Sequence, residues 1–320
     1  MADDIDSREN LRIIVDVSTP KAIMFFKPLI SSLQLKGCEV VVTTQDYREN
    51  LDLCRHVGLN HIISAGKPGP TKLDKLKNYI ERVQLLTYVY HEIQPHLAIS
   101  MMNPETCHIA YALNVPNVCF CDNLGHDAPL TLPLATRIFA PFTVPLTDLA
   151  EYGQVQANTL FYSALNPLVW LRLHEVNNDV LKDLGIKKKP VIVVRGLTSL
   201  EKQKIEKLDA CVLSFSELSN PMFDMQSILA RCDVFIGAGE TMNVEAAYYG
   251  TPVINSCPKT SYALKFLEEN GLAVHASTPE QVVVEAKKAL KAGRNNRKAH
   301  EVFGRMEFHM DQLCEKIMVS

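Results

Sequence analysis

The stretch 237-GAGETMNVEAAYYG-250 lies between 233-DVFI-236 and 251-TPVINS-256. Four largely apolar residues ending abruptly in Gly-Ala-Gly read as a buried parallel strand whose carboxyl end opens into a loop. A helix follows, starting near Thr241 and carrying Glu245 one turn inside. In open α/β sheets ligands bind at that edge. Gly237 and Gly239 can adopt positive φ and let backbone amides come close to a guest, with the unpaired N–H groups of the helix start aimed at the same point. An anion suits those amides. Glu245 does not suit a bare phosphate, but a carboxylate on the face of Thr241 can accept hydrogen bonds from the vicinal hydroxyls of a sugar. Together they point to a nucleotide, with pyrophosphate at the amides and ribose at the acid. The plain alternative is a βα turn in which Glu245 only complements the helix dipole.

Two familiar phosphate loops are excluded. No G-x-x-x-x-G-K-S/T sequence occurs, and G-A-G-E-T-M lacks the third glycine of G-x-G-x-x-G and falls late in its domain.

Working outward, 320 residues with 47% apolar content suffice for two cores. A formal net charge of −3 gives no reason to expect a nucleic acid partner. No apolar run approaches the roughly 18 residues of a membrane span. The start, MADDIDSREN, is acidic where a secretory signal would be basic and then apolar, so a cytoplasmic protein is expected. Nine cysteines without a C-x-x-C pair read as reduced thiols packed as small hydrophobes, Cys119 and Cys121 sharing one face of a strand.

The first half alternates strands and helices: strands at 11–17, 38–44, 61–63, 96–100 and 117–121, with helices from the end of 18-STPKA-22 to near Gly37 and over 46–58, 72–93 and 104–114. That is the pattern of a parallel sheet covered on both faces. A second series runs through strands at 190–195, 210–215, 233–236, 252–256 and 272–276, with helices at 200–208, 223–232 and 261–270, and two closing helices. The apolar 158-NTLFYSALNPLVWLRL-173 reads as an irregular buried linker, broken by Asn166-Pro167. The expected fold is therefore α/β: two Rossmann-like, doubly wound parallel-sheet domains. They span 1–172 and 173–297, and a closing segment, 298–320, packs back on the first.

The span 233-DVFIGAGETMNVEAAYYGTPVINSCP-258 resembles the donor-sugar motif of GT-B glycosyltransferases and of the related UDP-N-acetylglucosamine 2-epimerases. With 13-IIVDVSTPKAIMFFKPLI-30, 117-NVCFCDN-123 and 191-VIVVRG-196, it also resembles an archaeal family of unknown function grouped with those enzymes. The resemblance implies GT-B architecture, with the two domains facing across a cleft lined by the carboxyl ends of both sheets. It implies a UDP-sugar donor as substrate, with no metal or cofactor. Gly237, Gly239 and Thr241, with Glu240 beside them, would face the diphosphate, Glu245 the ribose and Arg195 the phosphates. An arginine emerging from a strand of valines at the same edge is also a phosphate ligand on its own chemistry.

The first domain departs from its relatives. They carry histidines in a stretch like N-P-P-H-V-H-F-F, where this chain has 19-TPKAIMFF-26, so Ala22 and Met24 fill both histidine positions and only Lys21 remains nearby. The replacement is sought in 122-DNLGHDAP-129: Asp122 as a base for a sugar hydroxyl, with His126 and Asp127 as helpers. Asp16, ending the first strand, could orient an acceptor; for both aspartates turn capping is the alternative. His56, His61, His91, His96 and His108 stand singly, without metal-ligand spacing. The basic run 287-KKALKAGRNNRK-298 reads first as a solvated helix face and second as a peripheral hold on anionic lipid. The expected function is transfer of a sugar from a UDP-sugar to a glycan, lipid or small-molecule acceptor. Alternatives are a UDP-N-acetylglucosamine 2-epimerase-like enzyme and a nucleotide-sugar-binding protein whose catalysis has decayed.

Overall fold

The computed structural model describes residues 11–60, 62–67, 69–215 and 224–318. The acidic start, His61 and the first residue of the helix expected at 223–232 lie outside the described residues. The chain folds as two compact units. Unit 1 runs to Asn166 and takes in the residues from Phe308 on; unit 2 is Pro167–Glu307.

Unit 1 is built on seven parallel strands: β1 (Arg12–Asp16), β2 (Glu39–Thr44), β3 (Ile62–Ser64), β4 (Leu97–Ser100), β5 (Asn117–Phe120), β6 (Arg137–Pro141) and β7 (Thr159–Tyr162). Their order is β3-β2-β1-β4-β5-β6-β7. The two last strands extend the expected βαβαβ series. β7 lies inside the stretch read as an irregular linker. β6 begins on Arg137 and ends on Pro141, and β7 is embedded in a longer apolar stretch, so neither stands out as a bounded apolar run. The helix Pro20–Leu35 starts on a Thr19 cap whose hydroxyl accepts from the Ala22 amide, with proline at its first position. Its Phe25 and Phe26 pack edge-on against Phe120 of β5, each with centroids 5.2 Å away. The closing helix Met310–Met318 belongs to this unit: Ser32 donates to Asp311 at 2.8 Å, and Phe308 lies edge-on to Tyr162 at 5.5 Å.

The strand order of this sheet reverses between β1 and β4, where Asp16 is in register with Ser100. A doubly wound sheet opens a crevice there, and here the chain's own side chains fill it. Arg82, from the helix Lys72–Ile93, is fully buried. It donates to Asp16 Oδ2 at 2.5 Å, to the Ala65 carbonyl at 3.1 Å and to Asn103 Oδ1 at 3.2 Å, with Glu105 at 3.9 Å. Thr43 and Thr106 also donate to Asp16 Oδ2, and Ser18 to Oδ1. Asp16 is 1% exposed and both its oxygens are engaged. Its side chain therefore sits within the wall and is not available to orient an acceptor. Burial raises the pKa of Glu105, which the Arg82 guanidinium opposes.

Unit 2 holds five parallel strands, β8 (Val191–Arg195), β9 (Cys211–Ser214), β10 (Val234–Gly237), β11 (Val253–Asn255) and β12 (Ala273–His275), in the order β12-β11-β10-β8-β9. Ile192, Val194, Val234, Ile236 and Ile254 pack against Ile205, Val282 and Ala286 of the covering helices. Two helices, Pro279–Ala292 and Asn296–Gly304, end the unit, so with Met310–Met318 the chain closes on three helices and not two. Among the described residues no helix is long and apolar enough to cross a membrane.

Arg82→Met should strip the compensating charge from Asp16 and Glu105 and lower the stability of unit 1 by about 3–5 kcal/mol. Urea titration of the two proteins measures this; a loss below about 1 kcal/mol would mean that the network does not carry the crevice.

Candidate functional site

In unit 2 the strand order reverses between β8 and β10, with Gly237 in register with Arg195. The two strands leave the sheet through Arg195-Gly196 and Gly237-Ala238-Gly239. The Ala238 amide donates to the Arg195 carbonyl at 3.0 Å, tying one loop to the other. The left-handed residue of this pair of loops is Gly196, at φ +70°, where a Cβ would stand 3.2 Å from that of Ala238.

Glycine permits positive φ at 237 and 239, and neither residue adopts it. Their reasons are different. A Cβ on Gly237 would meet the Phe235 ring at 2.5 Å and Asn243 Oδ1 at 2.9 Å, so glycine is there for room. Gly239 is extended, at φ −141°, and caps the helix Glu240–Tyr248 without a side chain. A Cβ on it would meet nothing within 4 Å, so open space lies before the helix N-terminus. Glu240 and Thr241 form its first turn, both half-buried.

Glu245 faces inward from that helix and is 5% exposed. Trp170 Nε1 donates to its Oε1 at 2.8 Å, and Gln226 Nε2 to the same oxygen at 3.4 Å. Burial pushes the Glu245 carboxyl up to about 7, opposed by those two hydrogen bonds and by the positive charge of Arg195. Arg195 is itself held down by burial and up by Glu245, and its guanidinium lies 4.5 Å from the centre of the Phe215 ring. The structure therefore gathers Arg195, Gly237, Gly239, Glu240, Thr241 and Glu245 at one sheet edge. Asn243 Oδ1 and Ser256 Oγ are buried there without a partner among the described residues.

Trp170, Gln226, Gly196 and Phe215 complete the site and were not singled out from the sequence. For Trp170 a signal existed. It is the chain's one tryptophan, and a buried indole N–H needs an acceptor. Beside it, His174 bonds Tyr249 through Nδ1 and Asp224 through Nε2, both at 2.9 Å.

In unit 1, Asp122 follows β5 and is 9% exposed. Its Oδ2 accepts from Lys21 Nζ at 2.7 Å and from Asn166 Nδ2 at 2.8 Å, and the Tyr162 hydroxyl donates to Asn166 Oδ1. His126 and Asp127 are exposed, and no hydrogen bond joins either side chain to Asp122. The lysine from the first turn of the helix Pro20–Leu35 stands where a helper was sought from the histidine. Ala22 is buried and Met24 half-buried. In the basic run 287–298, Lys288 pairs with Glu285, and Arg294 donates to the carbonyls of Cys232 and Tyr249. Among the described residues no group of three His, Cys, Asp or Glu side chains could hold a metal ion.

The chain belongs to a family described as protein of unknown function (DUF354), whose model matches residues 11–214 and 212–318. The uncharacterized protein MJ0665 of Methanocaldococcus jannaschii is 28% identical over 310 residues, covering 86% of this chain and 90% of that protein. Among solved structures, the UDP-N-acetylglucosamine 2-epimerase of Rickettsia bellii superposes with a TM-score of 0.74 at 12% identity, over 97% of this chain and 96% of that one. The UDP-GlcNAc 2-epimerase of Neisseria meningitidis bound to UDP-GlcNAc gives 0.70 at 12%, over 97% and 99%. The spinosyn forosaminyltransferase SpnP gives 0.62 at 16%, over 98% and 100%. These likenesses establish the fold: two doubly wound parallel-sheet domains of the GT-B type.

Two glycine substitutions separate room from conformation. Gly237→Ala should cost about 1–3 kcal/mol through overpacking against Phe235, whereas Gly239→Ala should stay within about 0.5 kcal/mol. Thermal unfolding compares them; equal losses would refute the assignment. The Glu245 carboxyl, at 4.5 when unperturbed and about 7 when folded, binds more protons in the native state between those values. Stability should therefore fall as pH rises from about 4.5 to about 7 and level off above. Glu245→Gln should flatten that slope relative to wild type in urea titrations across the window.

Proposed function

We propose that the chain is a glycosyltransferase-like enzyme that binds a UDP-sugar through unit 2 and moves its sugar to an acceptor. The observation that carries this is Glu245. A carboxylate taken almost wholly out of water, with both its donors on Oε1, retains an acceptor oxygen beside a half-buried arginine at the switch point of a parallel sheet. A ribose hydroxyl supplies the missing donor, and a diphosphate supplies the negative charge for Arg195 and for the amides before Glu240. Relatives of the same fold include an epimerase bound to UDP-GlcNAc, which supports uridine diphosphate as the first nucleotide to test.

In this reading, negative charge developing on the leaving diphosphate is met by Arg195 and the helix amides, fixed in place before the reaction begins. Asp122 is the base: its Oδ2 is held by Lys21 and Asn166, which orient the carboxylate. The Asp122–Lys21 pair also favours a second reading. Epimerisation needs an acid and a base, and these two side chains stand 2.7 Å apart in unit 1. A nucleotide-sugar-binding protein without turnover is the remaining outcome.

Incubation of the purified protein with labelled UDP-sugars, alone and with cell extract, separates the three. Free UDP with a labelled acceptor supports transfer, an altered UDP-sugar supports epimerisation, and binding without turnover leaves only the donor site. Asp122→Asn should lower kcat far more than donor affinity; unchanged kcat would remove Asp122 from the reaction. Glu245→Gln should weaken UDP by about 1–3 kcal/mol in titration calorimetry. An unchanged affinity would return Glu245 to a helix-dipole role.

A further inference from the structure

We infer that Trp170, with Gln226, positions the Glu245 carboxylate so that Oε1 is saturated and only Oε2 is left to take a hydroxyl from the ligand. Trp170 is thus a positioning residue of the donor site, and Glu245 reads one ribose hydroxyl and not two. This rests on the nucleotide reading above.

The indole has a single N–H and no other hydrogen-bonding atom, so its donation to Oε1 at 2.8 Å is its whole polar capacity. All four residues of its helix, Leu168–Leu171, are buried, which fixes the ring from behind. Gln226, in the helix Met225–Arg231, donates to the same oxygen. Two donors occupy the two lone pairs of Oε1, while Oε2 has no partner among the described residues. A ligand hydroxyl therefore has one oxygen to bond. Both donations favour the charged carboxylate, and burial opposes it.

The other groups around Glu245 are few. Arg195, from the end of β8, is the one charge that lowers its pKa. Tyr249, one turn along the same helix, is bonded to His174, which also holds Asp224 at the cap of Gln226's helix. The helices Tyr262–Glu269 and Asn296–Gly304 also pack on the helix of Glu245 and bring no charge to its carboxylate.

Because Trp170 is the only tryptophan, its fluorescence reports the state of Glu245 without any ligand. The full chain, titrated between pH 5 and 9, should show a transition centred near 7 that Glu245→Gln abolishes. A transition that persists in that variant, or none in wild type, overturns the coupling. In the second arm, UDP affinity should strengthen as pH rises through about 7 in wild type. Trp170→Phe keeps an aromatic ring and drops the N–H, so it should weaken UDP roughly 3–10-fold at neutral pH, move the midpoint to higher pH, and recover at alkaline pH. A uniform loss at every pH, with no shift of midpoint, would mark Trp170 as packing only. Should that variant fail to fold, Gln226→Met, which removes the second donor to Oε1, must move the midpoint in the same direction. In the third arm, only one of 2′-deoxy-UDP and 3′-deoxy-UDP should bind wild type markedly more weakly than UDP does. Comparable losses on both refute the one-hydroxyl site. Wild type that binds no UDP at any pH defeats the nucleotide reading and the positioning role, while the fluorescence arm still decides the Trp170–Glu245 coupling.

Discussion

Unit 2 is arranged around a carboxylate that has been taken out of water. Burying a charge costs far more than burying an apolar group, and the cost is tolerable only when donors and an opposite charge face it. Glu245 meets that condition in part: Trp170 and Gln226 on one oxygen, Arg195 nearby, and burial still strong enough to leave the group titrating near neutrality. A sequence selected only for stability would fill the position with an apolar residue, as the helix does at Val244, Ala246 and Ala247. Perturbed acids that stability alone does not call for concentrate at functional sites.

The two sheets treat their switch points in opposite ways, each considered within its own unit. In unit 1 the crevice between β1 and β4 is closed by Arg82, Asp16, Asn103 and Thr106, with the aspartate saturated. In unit 2 the crevice between β8 and β10 ends in glycines, an open space before Gly239 and polar atoms that have no partner among the described residues. A ligand gains from meeting an unsatisfied buried acceptor and gains nothing from a network already closed. This difference supports placing the proposed donor site in unit 2. In unit 1 the proposed base, Asp122, lies at the mouth of β5, where it keeps a small exposed fraction and is held by Lys21 and Asn166.

Much of the fold was legible because parallel strands buried on both faces write themselves as apolar runs. Ile13-Ile14-Val15, Val191 to Val194 and Val234 to Ile236 are of that kind. β6 and β7 were not, since Arg137 and Pro141 bracket the first and the second is embedded in the longer apolar stretch 158–173. The edge carrying Gly237, Gly239 and Glu245 was legible from strand, glycine and helix alone, yet the reason for the glycines was not. Whether a glycine serves φ or room depends on the side chain across from it, here the Phe235 ring and the amide of Asn243. Partners distant in sequence were equally hidden. Arg82 sits 66 residues from Asp16, Trp170 75 from Glu245 and Lys21 101 from Asp122, and nothing local marks which residue each would meet.

That last pair bears on what stands in for the histidines. An imidazole near neutrality can take or give a proton, whereas a lysine offers a positive charge and N–H donors. If Lys21 stands in for a histidine, the proton acceptor must be Asp122, and the lysine's part is to orient it and to balance its charge. Lys21 sits in the first turn of the helix Pro20–Leu35, whose Thr19 cap and Pro20 fix where its stem begins. Asn166, held in turn by the Tyr162 hydroxyl, restrains the carboxylate from the other side. Both donors go to Oδ2, so in the proposed reading Oδ1 is the oxygen that meets a sugar hydroxyl. Each unit thus carries a carboxylate whose donors converge on one oxygen: Glu245 on Oε1, from Trp170 and Gln226, and Asp122 on Oδ2, from Lys21 and Asn166.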